Sequence, residues 1–438
     1  MNYDQNASFH KDKAKVEIER SESNLILAGA AVHSKVVDAA NDMGVYTVVT
    51  DYLPDSPGKQ IADEAWNLNI MEVDEIVEKC RNENVDGVLS FCIDPCQRPY
   101  QQICEKLSVP CYGSKEQFFK MTDKTAFKNL CQKAGVDTIP SYTKEEVLSN
   151  PDLYPLFIKP VDSRGSRGQT KCYSSEDIIK AIEEAEQESS NGEVLIEKCM
   201  DGYQDFTISC LIKDKKPYII RTADRFLGQK NDHLDRQSIC SISPSQCDDS
   251  IIESLKSRLD NFVNELGLDN GIMFFQGFLD GDTVRFYDPG LRLPGADYEI
   301  LLRDVTGVDV MKIMIQYALT GKMEIPDNLE DCYKLNGNIS IQLLICAKPG
   351  TISVYEGFDE LKNHPNVVSV SKRTKVGETV PASGNVQQRI AEVVVLAPDR
   401  DSIPSLVDYV YNNIKVLDEN GVDMIVSKYN PYALGGNE

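Results

Sequence analysis

Hydrophobic and polar positions change period several times along this chain, and the changes divide it into units. Residues 1–22 carry no apolar periodicity and read as a mobile tail. Asn24–Ala30 then gives a short apolar run ending in a Gly/Ala turn, which predicts a buried strand. Helical spacing follows over Lys35–Met43, with Gly44 as its stop. Val45–Thr50 predicts a second buried strand. The alternation continues with a helix near Val73–Asn84, a strand at Gly87–Phe91, a helix near Tyr100–Leu107 and a short strand at Val109–Tyr112. Strands alternating with helices of this length predict a parallel sheet with crossover helices.

The middle of the chain has a different rhythm. Met121–Ala134 predicts a helix containing Lys124, and Tyr154–Lys159 a strand. Ser175–Glu186 predicts a helix. Glu193–Met200 and Asp205–Ile212 predict strands joined by the turn Asp201-Gly202, with Tyr218–Thr222 another strand. Asp249–Leu266 has strong helical spacing. Gly271–Leu279, the turn Asp280-Gly281-Asp282 and Thr283–Asp288 together predict a hairpin. Val308–Leu319 predicts a helix ended by Gly321. In the last hundred residues, Asn338–Ala347 and Val393–Leu396 predict strands and Ile403–Leu417 a helix, a small α+β unit. At ~150 residues per domain, 438 residues make about three domains.

Composition narrows the function classes. The longest apolar runs, such as Leu25–Val32, fall far short of the ~20 residues of a bilayer span. The polar opening differs from a secretory leader. The net charge of −23, from 46 basic and 69 acidic residues, opposes polyanions at long range. The expectation is therefore no nucleic acid and no membrane among the partners. A basic pocket for one small anion stays open. Thirteen scattered cysteines without zinc spacing fit reduced thiols and a cytoplasmic setting. Four histidines leave little material for a histidine-centred site.

Three stretches carry chemistry. Lys159 ends a strand and is followed by Pro160-Val-Asp-Ser-Arg-Gly-Ser-Arg-Gly168, dense in glycine and arginine. Lysine supplies a point charge, and exposed loop N–H groups can wrap anionic oxygens; the alternative is a surface loop. Glu197 lies where the run Val194–Lys198 ends. Such a strand can offer its backbone to an adenine edge while the carboxylate accepts from the amino group or ribose; the alternative is a salt-bridged strand end. In the hairpin, Gln276 and Asp288 can face one cleft with oxygen ligands suited to Mg²⁺. Arg292, four residues on, could hold a carboxylate or a transferring phosphoryl group; the alternative is an edge salt bridge. The turn Gly29-Ala-Ala-Val-His33 lacks the three-glycine dinucleotide fingerprint and marks a strand–helix junction or a small-substrate crevice.

In this order, Lys124, Lys159 with its glycine loop, Glu197, Gln276, Asp288 and Arg292 resemble the ATP-grasp superfamily, carboxylate–amine ligase type. Lys348-Pro-Gly-Thr-Ile352, Gln388-Arg389 and Val416-Leu-Asp-Glu-Asn-Gly421 extend the likeness to L-amino acid ligases and single-core carbamoyl-phosphate-synthetase-like proteins. The implied architecture is α/β and α+β, multidomain. A Rossmann-like domain (23–120) precedes a two-part ATP-grasp core (121–325, lid about 135–205) and a small α+β domain (326–430).

The resemblance also implies roles. Lys124 and Lys159 would contact ATP phosphates, Lys159 and Arg292 being catalytic. The loop with Ser163, Gly165, Ser166 and Gly168 would close over the phosphates. Glu197 and Met200 would hold the adenine, with Asp205 near the ribose; Ile158, Met200 and Phe278 would sandwich the base. Gln276 and Asp288 would hold Mg²⁺, or Mn²⁺ in its place. His233 and Arg236 lie in a segment that reaches the cleft. Two departures stand out: Asp288 occupies a usual Glu place and Gly290 a usual Asn place. Gln276 is as in carbamoyl phosphate synthetases, and Ala296 replaces the Glu of biotin carboxylases. The implied function is an ADP-forming ligase that joins a small-molecule carboxylate to an amine through an acyl phosphate. Bicarbonate activation of the carbamoyl-phosphate-synthetase kind and a catalytically degenerate nucleotide binder are the alternatives, and a homodimer is an open option.

Overall fold

The structure is a computed structural model that describes residues 22–161, 168–189, 191–234, 237–295 and 297–432. The first unit is a four-stranded parallel sheet in the order Glu64–Trp66, Tyr46–Thr50, Ser23–Leu27, Gly87–Ser90. Helices Ala31–Asp42, Val73–Glu83 and Gln97–Leu107 connect and flank it. Every residue of Ser23–Leu27 and Gly87–Ser90 is buried, as expected of strands with both faces covered. Val109–Tyr112, expected as a strand, forms none; Tyr112 instead packs its ring on Tyr100 and Phe118.

Residues 141–198 build a separate small layer. Its antiparallel sheet runs Ser141–Tyr142, Val194–Lys198, Leu156–Pro160, Thr170–Cys172, with helix Ser175–Glu188 on one face. Leu156, Ile158, Ile178, Ile182 and Ile196 form the core between sheet and helix.

The third element is a nine-stranded sheet. It runs Thr283–Gly290, Gly271–Asp280, Asp205–Lys213, Lys216–Leu227, Ser238–Ser243, Ile339–Ala347, Arg389–Ala397, Val367–Lys372, with Ile425–Val426 also on Ile339–Ala347. The predicted hairpin is present, and helix Asp249–Leu266 has the predicted bounds, with Asp248 capping its start and Gly267 left-handed at its end. Strands from residues 339–397 continue the sheet begun at 205, so one hydrogen-bonded surface runs through both regions. The expected helix Ile403–Leu417 stops at Asn413; Lys415–Asp418 is a strand against Gly350–Glu356. β-Branched Ile414 and Val416 favour that outcome, and Val416 is fully buried by it. All thirteen cysteines are free, and only Cys111 and Cys247 are not buried. Among the described residues no helix is long and apolar enough to cross a membrane.

Candidate functional site

Strand register decides what the small layer shows to the cleft. Phe157 pairs with Glu197, and Ile158 with Ile196. Side chains alternate between faces, so Phe157, Lys159 and Glu197 share one face, and Ile158 lies on the other. Ile158 is therefore in the core under helix Ser175–Glu188, not beside a bound base; Phe157 is the apolar residue on the face of Lys159. That corrects the expectation for Ile158.

Glu197 is buried and paired twice. Lys159 Nζ lies 2.5 Å from Oε2, and Lys128 Nζ lies 2.5 Å from Oε1. Lys128 also donates to the Ile139 carbonyl at 2.8 Å and to the Ser141 hydroxyl. Burial works to raise the Glu197 carboxyl, but Lys159 and then Lys128 outweigh it, and the net direction is down. The carboxylate is thus a salt-bridged strand end with one lysine on each oxygen. Lys128 was not anticipated; its signal is a spacing of four from Lys124 on helix Lys124–Ala134.

Across the cleft, Gln276 and Asp288 are direct cross-strand partners, which places both on one face. Asp288 reaches solvent at the cleft yet is densely surrounded by protein. That surrounding raises its carboxyl, and Asp94 adds to the rise; Lys124, Arg292 and Lys159 oppose it. The expected cations therefore converge electrostatically on Asp288. Lys124 is half-buried at the start of its helix, where Asp123 caps the turn. Gln276 Oε1 accepts from Tyr287 Oη at 3.3 Å.

Asp205 is buried and committed. It accepts from Arg225 Nη1 at 3.0 Å and from Tyr287 Oη at 3.3 Å. Burial pushes its carboxyl up to about 6, more than Arg225 and the tyrosine hydroxyl pull it down. Asp205, expected near a ribose, is thus held in a buried ion pair. Met200 is buried after strand Val194–Lys198, its carbonyl accepting from Tyr203 N at 3.2 Å. Phe278 stacks on Tyr287 with centroids 5.0 Å apart. His233 is exposed and left-handed beside Asp232, which accepts from the Ser427 amide and hydroxyl.

Arg292 makes the most specific contact. Nε donates to Asp94 Oδ1 at 2.6 Å and Nη2 to Oδ2 at 3.0 Å, a two-pronged pair between the parallel-sheet unit and the hairpin. Nη1 donates to the Leu293 carbonyl at 2.9 Å, and the guanidinium lies 4.9 Å from the centre of the Phe274 ring. Phe274 also explains Gly290. The two are cross-strand partners, and a Cβ at 290 would sit 2.1 Å from Phe274 Cε1. The ring fills the space a side chain at 290 would need. Gly168 is likewise demanded by its place: φ is +65°, and a Cβ would lie 2.9 Å from both Pro160 Cγ and Glu188 Cβ. Ser163, Gly165, Ser166, Arg236 and Ala296 lie outside the described residues.

The donor set bears on a metal. Asp288 and Gln276 supply two oxygens, Gly290 none, and the described residues hold no cluster of three or more metal-ligating His, Cys, Asp or Glu side chains. That fits Mg²⁺, which takes one or two protein oxygens and completes its shell with phosphates and water.

Comparison with known proteins follows the same ground. Residues 123–325 match the family model of the carbamoyl-phosphate synthase L chain, ATP binding domain. The formate-dependent phosphoribosylglycinamide formyltransferase of Prochlorococcus marinus (strain NATL2A) is 21% identical over 316 residues, covering 68% of this chain and 80% of that protein. A phosphoribosylglycinamide synthetase from Anaerococcus prevotii superposes with a TM-score of 0.73 at 17% identity, over 91% of this chain and 100% of the other. An L-amino acid ligase from Bacillus licheniformis gives 0.72 at 15% identity, over 92% and 100%.

Proposed function

We propose, on the match of residues 123–325 to the family model of the carbamoyl-phosphate synthase L chain, ATP binding domain, that this chain is an ADP-forming carboxylate–amine ligase of the ATP-grasp type working through an acyl phosphate. The observation that carries the reading is the convergence of Lys124, Lys159 and Arg292 on Asp288, with Gln276 opposite it. The names of the synthetase and ligase neighbours support it. The proposed layout is a Rossmann-like unit at 23–120, the ATP-grasp core at 121–325 with residues 135–205 as lid, and an α+β unit at 326–430.

In this reading, Gln276 and Asp288 hold Mg²⁺, which supplies charge neutralisation at the phosphates when bound. Lys124 and Lys159 orient the triphosphate from two sides, and Phe157, Met200 and Phe278 offer apolar surface to the base. The backbone of residues 197–200 reads the adenine edge, since the Glu197 side chain is committed. A substrate carboxylate oxygen attacks the γ-phosphorus, the bond to ADP breaks, and Arg292 offsets the charge on the transferring group. The amine then attacks the acyl carbon, the C–O bond breaks, phosphate leaves, and the amine proton passes to solvent. The work is positioning and charge neutralisation, which this lysine- and arginine-rich site suits without a histidine base.

A coupled ADP-release assay over pairs of amino acids tests the reading. ADP release is expected only when a carboxylate and an amine are both present. Release independent of any carboxylate would overturn it. The description of the matching family model favours a second reading, bicarbonate activation, and bicarbonate-dependent release without an organic acid selects that one.

A further inference from the structure

Asp94 is the residue of this site that the function above does not use. It sits in the turn Asp94–Cys96, just past the carboxyl end of strand Gly87–Ser90, with its side chain 48% exposed. Strand order places that end next to strand Ser23–Leu27, in the crevice where open α/β sheets take ligands. Its two oxygens take the two prongs of Arg292 that a substrate carboxylate would need.

The loop that carries Asp94 is built for this reach. Cys92 is left-handed at φ 61°, a strained state for a non-glycine residue. Its thiol lies 3.6 Å from the Pro294 carbonyl, so the 91–96 loop is docked on the segment that follows Arg292. Phe274 and the Leu293 carbonyl hold the guanidinium from other sides. The charge of Asp94 also acts on the Asp288 carboxyl, which it helps to raise.

We propose that Asp94 is a specificity-determining and positioning residue: it stands in for the substrate carboxylate on Arg292 and yields only to an incoming carboxylate. This rests on the ligase reading. While the pair is closed, Arg292 is neutralised and poorly able to stabilise phosphoryl transfer to water. In that leak a water oxygen attacks the γ-phosphorus, the bond to ADP breaks, and the proton leaves to solvent. A carboxylate that forks onto Arg292 displaces Asp94, so the arginine then holds the attacking oxygen beside the transferring group instead of a carboxylate of its own chain.

The test uses the full chain with MgATP and no other substrate. Asp94→Asn is expected to raise ADP release about tenfold, the scale of one charge-assisted contact at a developing phosphoryl charge. Asp94→Glu, which keeps the fork, is expected to stay near the wild-type rate. A merely structural Asp94 would lower the rate, so an Asp94→Asn rate at or below wild type, with MgATP binding retained by thermal shift, overturns the inference alone. Wild type that fails to bind MgATP overturns the ligase reading and this inference with it. Asp94→Ser is measured in place of Asp94→Asn if the latter does not fold.

Discussion

Glu197 and Asp205 lie eight residues apart, both buried, both paired with cations, and burial pushes both carboxyls up, yet the net shifts run in opposite directions. Glu197, on the small layer, has two lysines, one per oxygen, and together they overcome desolvation. Asp205, on the large sheet, has one arginine that also serves Tyr287, and it feels the like charge of Asp288. The teaching is about count: one cation does not compensate a buried carboxylate here, and two do. The small layer therefore meets the cleft with its buried carboxylate balanced by two lysines, which leaves one positive charge to spare. The large sheet carries two carboxyls held above their ordinary range, Asp205 in its buried ion pair and Asp288.

The largest test of that contrast is Glu197→Gln. It leaves Lys159 and Lys128 buried with half their partner, and a stability loss of about 3–5 kcal/mol is expected. Chemical denaturation reads the loss, with hydrogen exchange showing it concentrated in residues 141–198. A loss under ~1 kcal/mol would mean that the lysines find water or each other's carbonyl partners instead, and the charge-balance account would fail.

Next comes Gly290→Asn, which tests whether shape rather than charge limits the large-sheet side. The new Cβ must displace the Phe274 ring, so a loss of about 1–3 kcal/mol is expected, read as a lower thermal midpoint. Phe274→Ala in the same chain should relieve much of that added strain. If the single variant is neutral, the ring does not guard the position.

The smallest effect is in pH dependence. Asp205, raised to about 6, favours the fold as the neutral acid. Its contribution is complete below its unfolded value of ~3.9 and is lost as pH rises through about 6. Glu197, lowered, acts the other way: its contribution is present above ~4.3 and is lost as pH falls through its depressed value. Thermal midpoints from pH 4 to 6 should therefore fall less steeply, or rise more, in Asp205→Asn than in wild type, because the variant lacks the titrating acid. An unchanged profile would remove Asp205 from the contrast.

What the sequence made legible follows from how local each signal is. Helix Asp249–Leu266 and the hairpin around Asp280-Gly281-Asp282 carry their own caps and turn, and both appear as read. Lys124, Lys159 and Arg292, read from the sequence in that order, all act on the Asp288 carboxyl. The facing of Ile158 was available in principle, since strand alternation separates it from Lys159. Other features had no local sign. Asp94 meets Arg292 across 198 positions, and the Phe274–Gly290 fit exists only once the hairpin register is set. Glu197 reads the same in sequence whether it faces a ligand or two lysines. Strand Ser238–Ser243 and helix Tyr298–Thr306 escaped because runs this short do not declare their period.

The continuity of the large sheet has a consequence for modularity. Strand Ser238–Ser243 is hydrogen-bonded on one side to Lys216–Leu227 and on the other to Ile339–Ala347. A fragment cut after residue 325 would keep every residue that faces the cleft from the core, yet would bare one whole edge of an uncharged six-residue strand, Ser-Ile-Cys-Ser-Ile-Ser. Open, uncharged edges recruit other chains and drive aggregation. The segment 123–325 is thus not self-contained: it borrows the solubility of its border from residues more than ninety positions downstream of that strand.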